Sequence, residues 1–417
     1  MGVSQVNAGE AAVAPPPGNP RFPAIDGLRA VAVCAVVVTH TAFLSGFNGR
    51  GFLGQITARL DSGVALFFII SGFLLYRPFV ASRYRGERVP SIRRFARRRV
   101  LRIVPAYWLA LTVLAIWPGL PYVFTDHWWV YYGFLQVLRP LWISGGITAA
   151  WSLCVEVQFY ILLPVYALLL WRTLRGRSVK TQMLAETGLL LVLAVASEVT
   201  RGLTFADKSP DSVSSTIAGT FSWFALGMIL ALVSARWHQV PVAERPAFLR
   251  LVVRRPLLPW AVAAALMVLL TRIGLPVLSV TDYTTFDWVG GHVIYGVMAT
   301  CFAMPIMLGI EGSGSVPDRL LTLRPVAWIG LISYGIFLWH HPLTGKLTRV
   351  ENWTPHGDFV LYTLVVFAVA TTAATLSYYL LERPILRFKD PRPKKTGGGD
   401  ASAAGAEAER VELARAG

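Results

Sequence analysis

Two ionisable side chains lie eleven positions apart in an otherwise apolar stretch, DGLRAVAVCAVVVTH, which begins at Asp26. Arg29 lies near the start of this stretch and His40 at its end. Eleven residues complete about three helical turns, so the two side chains share one face and lie about 16 Å apart along the axis. Because histidine titrates near neutral pH, the imidazole can exchange a proton with a substrate. A histidine that is hydrogen-bonded only for packing is the alternative.

A second polar series lies in WSLCVEVQFYILLPV, which begins at Trp151. Ser152, Glu156 and Tyr160 are four residues apart and therefore line one face of a helix. A carboxylate in such an apolar segment can orient a histidine or carry protons, or it can close a buried ion pair. Glu156 is therefore a candidate for proton transfer, and Trp151 is placed at the external end of its helix.

The other ionisable side chains in apolar segments have less support from their surroundings. Glu198 and Arg201 are three residues apart near the end of one segment and are interpreted as a structural pair. His292 belongs to no recognisable motif and is interpreted as structural. His340 and His341 are adjacent in SYGIFLWHHP and are candidates for contact with an external substrate.

Arginine is concentrated between positions 77 and 102, where ten arginines accompany a single acid, Glu87. Arg99 and Arg102 share one face of a predicted helix that leads into an apolar segment. Because guanidinium groups bind phosphate through two hydrogen bonds, this pair predicts a site for a phosphorylated ligand. Attraction to anionic lipid is the alternative, and it is the interpretation for Arg83, Arg85 and Arg88.

Small residues interrupt the apolar run GVALFFIISGFLLY, which begins at Gly63. Ser71 and Gly72 lie in its middle, among aromatic and branched side chains. Residues of this size allow either a neighbouring helix or a ligand to approach closely. The run therefore predicts a helix crossing or a binding surface.

The composition indicates that the ionisable side chains described above are held by transmembrane helices. Of the 417 residues, 54% are hydrophobic and 15% are charged, whereas soluble domains have about 25% charged residues. Apolar windows of about twenty residues, long enough to cross the hydrocarbon core, recur along the chain. The sequence predicts an all-α polytopic membrane protein. Cys34, Cys154 and Cys301 fall in its helices and are expected to pack there, forming neither disulfides nor a metal site.

About ten transmembrane helices are predicted from these windows. The aromatic stretch WWVYYGFLQVL, at 128–138, is too short to span and is predicted to be interfacial or re-entrant. The predicted helices are 27–45, 63–79, 100–118, 149–171, 185–202, 217–235, 257–276, 289–310, 325–345 and 358–381.

The net charge of +16 is distributed asymmetrically across these helices. With a cytoplasmic amino terminus, the cytoplasmic segments after the first helix hold 27 Lys and Arg, and the external loops about 8. This asymmetry follows the positive-inside rule and predicts that both termini are cytoplasmic. The abundance of Ala, Arg, Gly and Trp is typical of a GC-rich bacterial genome, so the membrane is expected to be that of a bacterial cell. It favours anionic lipid over nucleic acid as the partner of the basic face. Residues 1–23 and 389–417 are predicted to be disordered cytoplasmic tails that flank one transmembrane domain, 24–388.

Six motifs, in this order, resemble those of the membrane-bound acyltransferase-3 family. The resemblance covers roughly residues 21 to 388. The motifs are DGLR with the spacing from Arg29 to His40, FFIISGF at 67–73, RRVLRIVP at 98–105, WSLCVEVQFY at 151–160, SYGIFLWHHP at 333–342 and SYYLLERP at 377–384.

The resemblance implies a ten-helix fold with an acyl-transfer site inside the membrane. Members of this family move acyl groups, often acetyl, from cytoplasmic acyl-CoA to hydroxyls of sugars, envelope glycans, glycolipids or antibiotics. Acyl-CoA would then be a donor substrate, and no permanently bound cofactor or metal is expected. Some members have a fused SGNH esterase-like domain after the last helix. That domain is expected to be absent here, because the chain ends about 35 residues after its last helix.

The resemblance and the spacing together predict a role for each candidate residue. Arg29, Arg99 and Arg102 would hold the phosphates of acyl-CoA while its pantetheine arm rises toward His40. His40 would act as a general base on the acceptor hydroxyl, which is the favoured role, or as a nucleophile that carries the acyl group. Glu156 would orient or protonate His40 from the external side.

Several residues are expected to support this site. Ser71 and Tyr160 would donate hydrogen bonds to the oxyanion of the tetrahedral intermediate, and Ser71 would also contact the donor. Asp26 begins the motif that contains Arg29, and Trp151 begins the motif that contains Glu156. His340 would contact the acceptor.

Two alternative functions use the same residue types. A proton-coupled transporter also requires intramembrane histidine and glutamate, although no internal repeat is evident and a carrier does not need the arginine pair. An acyl translocase would hand the acyl group to a separate enzyme. The two alternatives differ from an acyltransferase in whether thiol is released and in where the acceptor binds.

Overall fold

The computed structural model describes residues 23–206, 213–238, 240–273, 283–309, 314–350 and 358–388. The predicted disordered tails therefore lie outside the described residues, apart from Pro23. The α-helices are α1 (Ala24–Leu44), α2 (Gly51–Ala58), α3 (Gly63–Tyr84), α4 (Ile92–Ile116), α5 (Trp128–Tyr132), α6 (Pro140–Ile143), α7 (Trp151–Leu174), α8 (Val179–Ala206), α9 (Ile217–Trp237), α10 (Ala247–Arg254), α11 (Leu257–Arg272), α12 (Thr285–Met307), α13 (Val316–Leu321), α14 (Arg324–Val350), α15 (Phe359–Ser377) and α16 (Arg383–Leu386).

The predicted all-α membrane fold is confirmed. Within the described residues, eight helical segments are long and apolar enough to cross a membrane, or nine if α10 and α11, which meet at 86°, form one bent span. α14 is equally long, but His340 and His341 lower its hydropathy, and it is not among these segments. Each of the ten predicted helices corresponds to a helix of the structure.

The aromatic stretch at 128–138 does not form a continuous helix. α5 covers only its first five residues, and a single 3₁₀ turn follows at Gln136–Leu138. Trp128 and Trp129 are exposed, as expected for side chains that lie at a membrane interface. α4 begins at Ile92, earlier than predicted, because the side chain of Ser91 accepts a hydrogen bond from the Arg94 backbone and caps the helix.

Close contact between α3 and α9 positions one wall of the site. A Cβ atom at Gly72 would collide with the backbone carbonyl of Phe224, and one at Gly227 with that of Ile69. Glycine at both positions therefore lets the two helices approach at backbone distance. The small residues of α3 thus serve a helix crossing, and the adjacent Ser71 faces a cavity on another side of the helix.

A buried ion pair joins α3 to α8. Arg83 pairs with Glu186, and both side chains are almost completely excluded from solvent. Tyr76 also donates a hydrogen bond to Glu186, and Arg83 Nε donates to Gln182 at 2.9 Å. The interpretation of Arg83 as a lipid contact was wrong, because its guanidinium is satisfied inside the bundle. Glu186 was not recognised from sequence as its partner, since the glutamate lies near a predicted helix end.

Candidate active site

Three arginines of the predicted donor site line one cavity. The cavity has a volume of about 590 Å³ and lies between α1, α3, α4, α7 and α14. We call it the arginine cavity. It is lined by Arg29, Phe67, Phe68, Ile70, Ser71, Leu74, Leu75, Arg99, Arg102, Ile103, Ser152, Leu153, Glu156, Tyr160, Ser333, Tyr334 and Phe337.

Each arginine of this cavity has a carboxylate or a ring nearby. Arg29 Nη1 donates to Asp26 Oδ1 at 2.9 Å, one helical turn earlier in α1. The guanidinium of Arg99 lies 6.0 Å from the centre of the Tyr160 ring, and its buried Nε has no hydrogen-bond partner among the described residues. An unpaired donor of this kind, beside an open cavity, is available to a ligand that accepts hydrogen bonds.

Two acids, Glu156 and Glu382, lie near the positive charges of this cavity. Glu156 lies close enough to Arg99 for a direct electrostatic interaction, and Glu382 has the same relation to Arg102. Glu382 belongs to the last of the six motifs, and its Oε1 accepts a 3.3 Å hydrogen bond from Ser377. The motif SYYLLERP, at 377–384, therefore lies beside the motif RRVLRIVP, at 98–105, in the folded chain.

Glu156 does not lie beside His40, contrary to expectation. It accepts hydrogen bonds from the hydroxyls of Ser71 and Tyr160, and all three residues line the arginine cavity. The reason is helix geometry: the face of α7 that holds Ser152, Glu156 and Tyr160 points into this cavity, toward Arg99. Ser71 is therefore engaged by Glu156 and is not presented to a group at His40.

His40 lines a second cavity, of about 380 Å³, which we call the histidine cavity. Its walls include Trp151, as expected for the start of α7, together with Asp61 and the aromatic side chain of Trp223. The walls also hold Arg201, Asp287, Trp288, His292 and Tyr295. Asp61 was not recognised from sequence, because it lies in a short 3₁₀ helix, Leu60–Ser62, that was not predicted.

A second histidine determines the tautomer of His40. His340 Nδ1 lies 2.7 Å from the backbone oxygen of Phe337, and since a carbonyl only accepts, this nitrogen has the proton. Nε2 of His340 then accepts, so His40 Nδ1 donates to it across 2.9 Å. His40 Nε2 is left with a free lone pair. The ring of His341 packs edge-on against His40, with centroids 4.9 Å apart.

The two cavities meet at Phe337. Its side chain lines both cavities, and its ring centroid lies 5.8 Å from that of His340. Phe68, which lines the arginine cavity, packs edge-on against Trp151 of the histidine cavity, with ring centroids 6.3 Å apart. Aromatic side chains thus separate the arginines from His40. Phe337 was not recognised from sequence, because an apolar residue in an apolar helix has no distinguishing signal.

The loop that precedes α4 contains a local ion pair. Arg85 donates two hydrogen bonds to Glu87, at 2.6 and 2.7 Å, and this guanidinium lowers the pKa of the Glu87 carboxyl. Both side chains are exposed to a large extent. The pair neutralises the only acid of the basic segment, so the acid does not compete for Arg99 or Arg102.

These features define a multi-pass membrane protein with two adjoining polar cavities inside its helical bundle. The profile of the acyltransferase 3 family, described as "Acyltransferase domain", matches residues 22–379. The chain therefore belongs to this family of membrane acyltransferases. No solved structure matches the chain.

Curated relatives of the chain are described as O-acetyltransferases. The chain is 24% identical over 380 residues to the peptidoglycan O-acetyltransferase OatA of Listeria monocytogenes, covering 87% of this chain and 55% of the relative. It is 28% identical over 382 residues to the putative peptidoglycan O-acetyltransferase YrhL of Bacillus subtilis, with the same two coverages. It is 26% identical over 406 residues to the O-acetyltransferase OatA of Staphylococcus aureus, covering 91% of this chain and 60% of the relative. The chain thus spans little more than half the length of these relatives.

Proposed function

We propose that this protein transfers an acetyl group from acetyl-CoA to a hydroxyl of a sugar or envelope glycan. The observation that carries the proposal is the meeting of the two cavities at Phe337, with three arginines on one side and His40 on the other. The names of the curated relatives support acetyl as the acyl group and a glycan as the acceptor.

The arginine cavity is the proposed site of the donor. Arg99 and Arg102 would bind the phosphates of CoA, and Arg29 would add a third positive charge on α1. A bound phosphate would take the place of Glu156 and Glu382 as the partner of these guanidinium groups, so the acids keep the site charge-balanced when it is empty. Bidentate geometry favours arginine over lysine for this purpose.

The pantetheine arm would extend along α1 and pass Phe337. The distance along α1 from Arg29 to His40 is about 16 Å, which suits an extended arm that ends in a thioester. The aromatic ring of Phe337 must move aside for the thioester to enter the histidine cavity. When no donor is bound, the same ring would keep water out of the space between the two cavities.

His40 is the proposed catalytic residue. The free lone pair on Nε2 allows it to act on the acceptor proton or on the acyl carbon, and the hydrogen bond to His340 holds the ring in the required tautomer. His340 is therefore a positioning residue in this proposal. It is not a contact of the acceptor.

The arginine-rich end is proposed to face the cytoplasm. The excess of basic residues in the segments at this end supports the orientation, and with it both termini would lie on the same side as acyl-CoA. Arginines of this face that are not engaged inside the bundle, such as Arg88, would contact anionic lipid.

Replacing His340 with alanine is expected to lower kcat by about 10- to 100-fold, as happens when the hydrogen bond that orients a functional histidine is removed. The KM for acetyl-CoA should change by less than about twofold, because the arginine cavity is untouched. His340→Gln, which retains an acceptor oxygen for His40 Nδ1, should recover part of the loss. Steady-state kinetics of thiol release would measure all three effects. A variant with unchanged kcat would contradict the positioning role.

The function itself can be tested with the purified full-length chain in proteoliposomes. Acetyl-CoA is supplied outside, and oligosaccharides of N-acetylglucosamine are trapped inside as the probe acceptor. We expect free thiol outside and acetylated oligosaccharide inside, the latter detected by mass spectrometry. Thiol release without acetylated product would indicate an acyl translocase that requires a separate enzyme. A transporter would release no thiol, and that result would refute the proposed function.

A further inference from the structure

His292, interpreted from sequence as structural, forms a carboxylate–imidazole pair. Its Nδ1 lies 2.7 Å from Oε1 of Glu198, on the neighbouring helix α8, and Ser222 donates to the same oxygen at 2.6 Å. Arg201, which we expected to pair with Glu198, lies close enough to interact with it electrostatically, but the hydrogen bonds of Glu198 Oε1 go to His292 and Ser222. Arg201 also donates to the backbone oxygen of Ser214 at 3.2 Å, and its guanidinium lies over the ring of Trp288.

The pair leaves one nitrogen of His292 unused. An ionised carboxylate only accepts hydrogen bonds, so Nδ1 has the proton and Nε2 has a lone pair. This Nε2 is buried and has no hydrogen-bond partner among the described residues. The whole residue is only 4% exposed. Burying an unsatisfied polar atom is unfavourable for folding, so packing alone does not account for this nitrogen. His292 Nε2 is therefore a candidate for a functional role.

The ring of His292 is held in a fixed orientation. Trp223 stacks on it, with centroids 3.9 Å apart and the two planes within 14° of parallel. The indole nitrogen of Trp223 also donates to the backbone oxygen of His292 at 3.0 Å. Together with Glu198, these contacts restrict the rotation of the imidazole, which is what proton transfer to a bound group requires.

His292 and His40 line the same histidine cavity. Each ring has its Nδ1 proton directed at a fixed acceptor, and each has a free lone pair on Nε2. In acyl transfer, one such imidazole can act as the nucleophile and the other as the base. A carboxylate behind the base stabilises the imidazolium that forms, and this arrangement recurs in unrelated hydrolases.

We propose that His292, positioned by Glu198, is the general base that activates the acceptor hydroxyl. This inference rests on the proposed function. It assigns the nucleophilic role to His40, whose Nε2 attacks the thioester carbonyl, forms an N–acyl bond and releases CoA as its thiolate. The acceptor hydroxyl then attacks the acyl carbon while its proton moves to His292 Nε2. The N–acyl bond breaks, its electron pair returns to His40, and the proton on His292 passes through solvent to the thiolate.

The acceptor is a hydroxyl-bearing molecule that reaches the histidine cavity. Asp61 and Arg201 bring a carboxylate and a guanidinium to the wall of this cavity, and Trp151 offers an aromatic surface. Aromatic rings with a few polar groups at their edges suit a sugar ring, which has both an apolar face and a rim of hydroxyls. The assignment of the base therefore agrees with the glycan acceptor of the proposed function.

Two assays of the full-length chain in detergent separate the two steps. Exchange of radiolabelled CoA into acetyl-CoA, without acceptor, reports acylation of His40. Acetylation of N-acetylglucosamine oligosaccharides reports the complete reaction. His292→Asn retains a donor for Glu198 but has no base at the position of Nε2. We expect it to keep exchange within about threefold of wild type and to lose oligosaccharide acetylation by about 100-fold or more.

Glu198→Gln tests the positioning residue. It should lower kcat for oligosaccharide acetylation by about tenfold and leave the KM for the oligosaccharide unchanged, and Glu198→Asp should recover part of the loss. The exposed His127→Asn is the matched control and should behave as wild type in both assays.

The outcomes distinguish this inference from the function on which it rests. Equal loss of exchange and acetylation in His292→Asn would assign the pair to structure and overturn the inference, as would acetylation at the wild-type rate. Wild-type protein that acetylates the oligosaccharide without exchange would overturn the acyl-His40 step and leave the proposed function intact. Wild-type protein that neither exchanges nor acetylates would contradict the proposed function itself.

Discussion

Replacing His40 with alanine is expected to reduce acetyl transfer by at least about 1000-fold, because its imidazole is the group proposed to take the acyl group from the thioester. Thiol release from acetyl-CoA by the purified variant, measured in the presence of the oligosaccharide acceptor, would show the loss. Binding of acetyl-CoA should be retained, since the three arginines line a different cavity. The change would therefore appear in kcat and leave the donor affinity nearly unaltered.

Control measurements distinguish a loss of catalysis from a loss of folding in His40→Ala. His127→Ala, at an exposed position, should retain full activity. The variant His40→Ala should elute from size exclusion as wild type does, because among the described residues the removed ring hydrogen-bonds one other side chain, His340. Imidazole added to the assay could occupy the space left by the ring and restore some thiol release. A folded variant with more than about a tenth of wild-type turnover would contradict the catalytic assignment.

The variants Arg99→Ala and Arg102→Ala are expected to raise the KM for acetyl-CoA by about 10- to 100-fold, which corresponds to the loss of a hydrogen bond between charged groups. The change in kcat should be smaller, because phosphate binding contributes equally to the ground state and the transition state. Steady-state kinetics over a range of acetyl-CoA concentrations would measure both parameters. Arg97→Ala, which removes an exposed arginine from the same helix, is the control and should leave the KM unchanged.

A shortened donor makes the test of the arginines specific. S-acetylpantetheine has the thioester and the arm of acetyl-CoA but lacks its nucleotide phosphates. Its KM should be high for the wild-type chain and should not rise further in Arg99→Ala, since the lost contact is to a group that the donor does not contain. An equal rise for both donors would show that Arg99 maintains the shape of the cavity and does not bind phosphate.

The sequence determined the membrane fold and the identities of most polar groups. Long apolar windows are a local property, so the ten helices could be located without any knowledge of their packing. The spacing of Arg29 and His40 is equally local, because both residues belong to one helix. The family motifs brought Arg99, Arg102, Glu156 and His340 into consideration for the same reason.

Only the tertiary structure decided which groups meet. Helix periodicity states which residues share a face, but it does not say which neighbour that face meets. Glu156 was therefore expected at His40 and lies instead with Arg99, whereas His340 comes from a helix 300 residues later in the chain to hydrogen-bond His40.

Three further residues could not be recognised from sequence, because their contacts also depend on which helices pack together. Phe337 resembles any other apolar residue of its helix until two cavities are found on either side of it. Glu198 and His292 are 94 residues apart, and their hydrogen bond depends on how α8 packs against α12. Contacts between helices depend on the packing of the whole bundle, and a single sequence contains no local pattern from which they can be read.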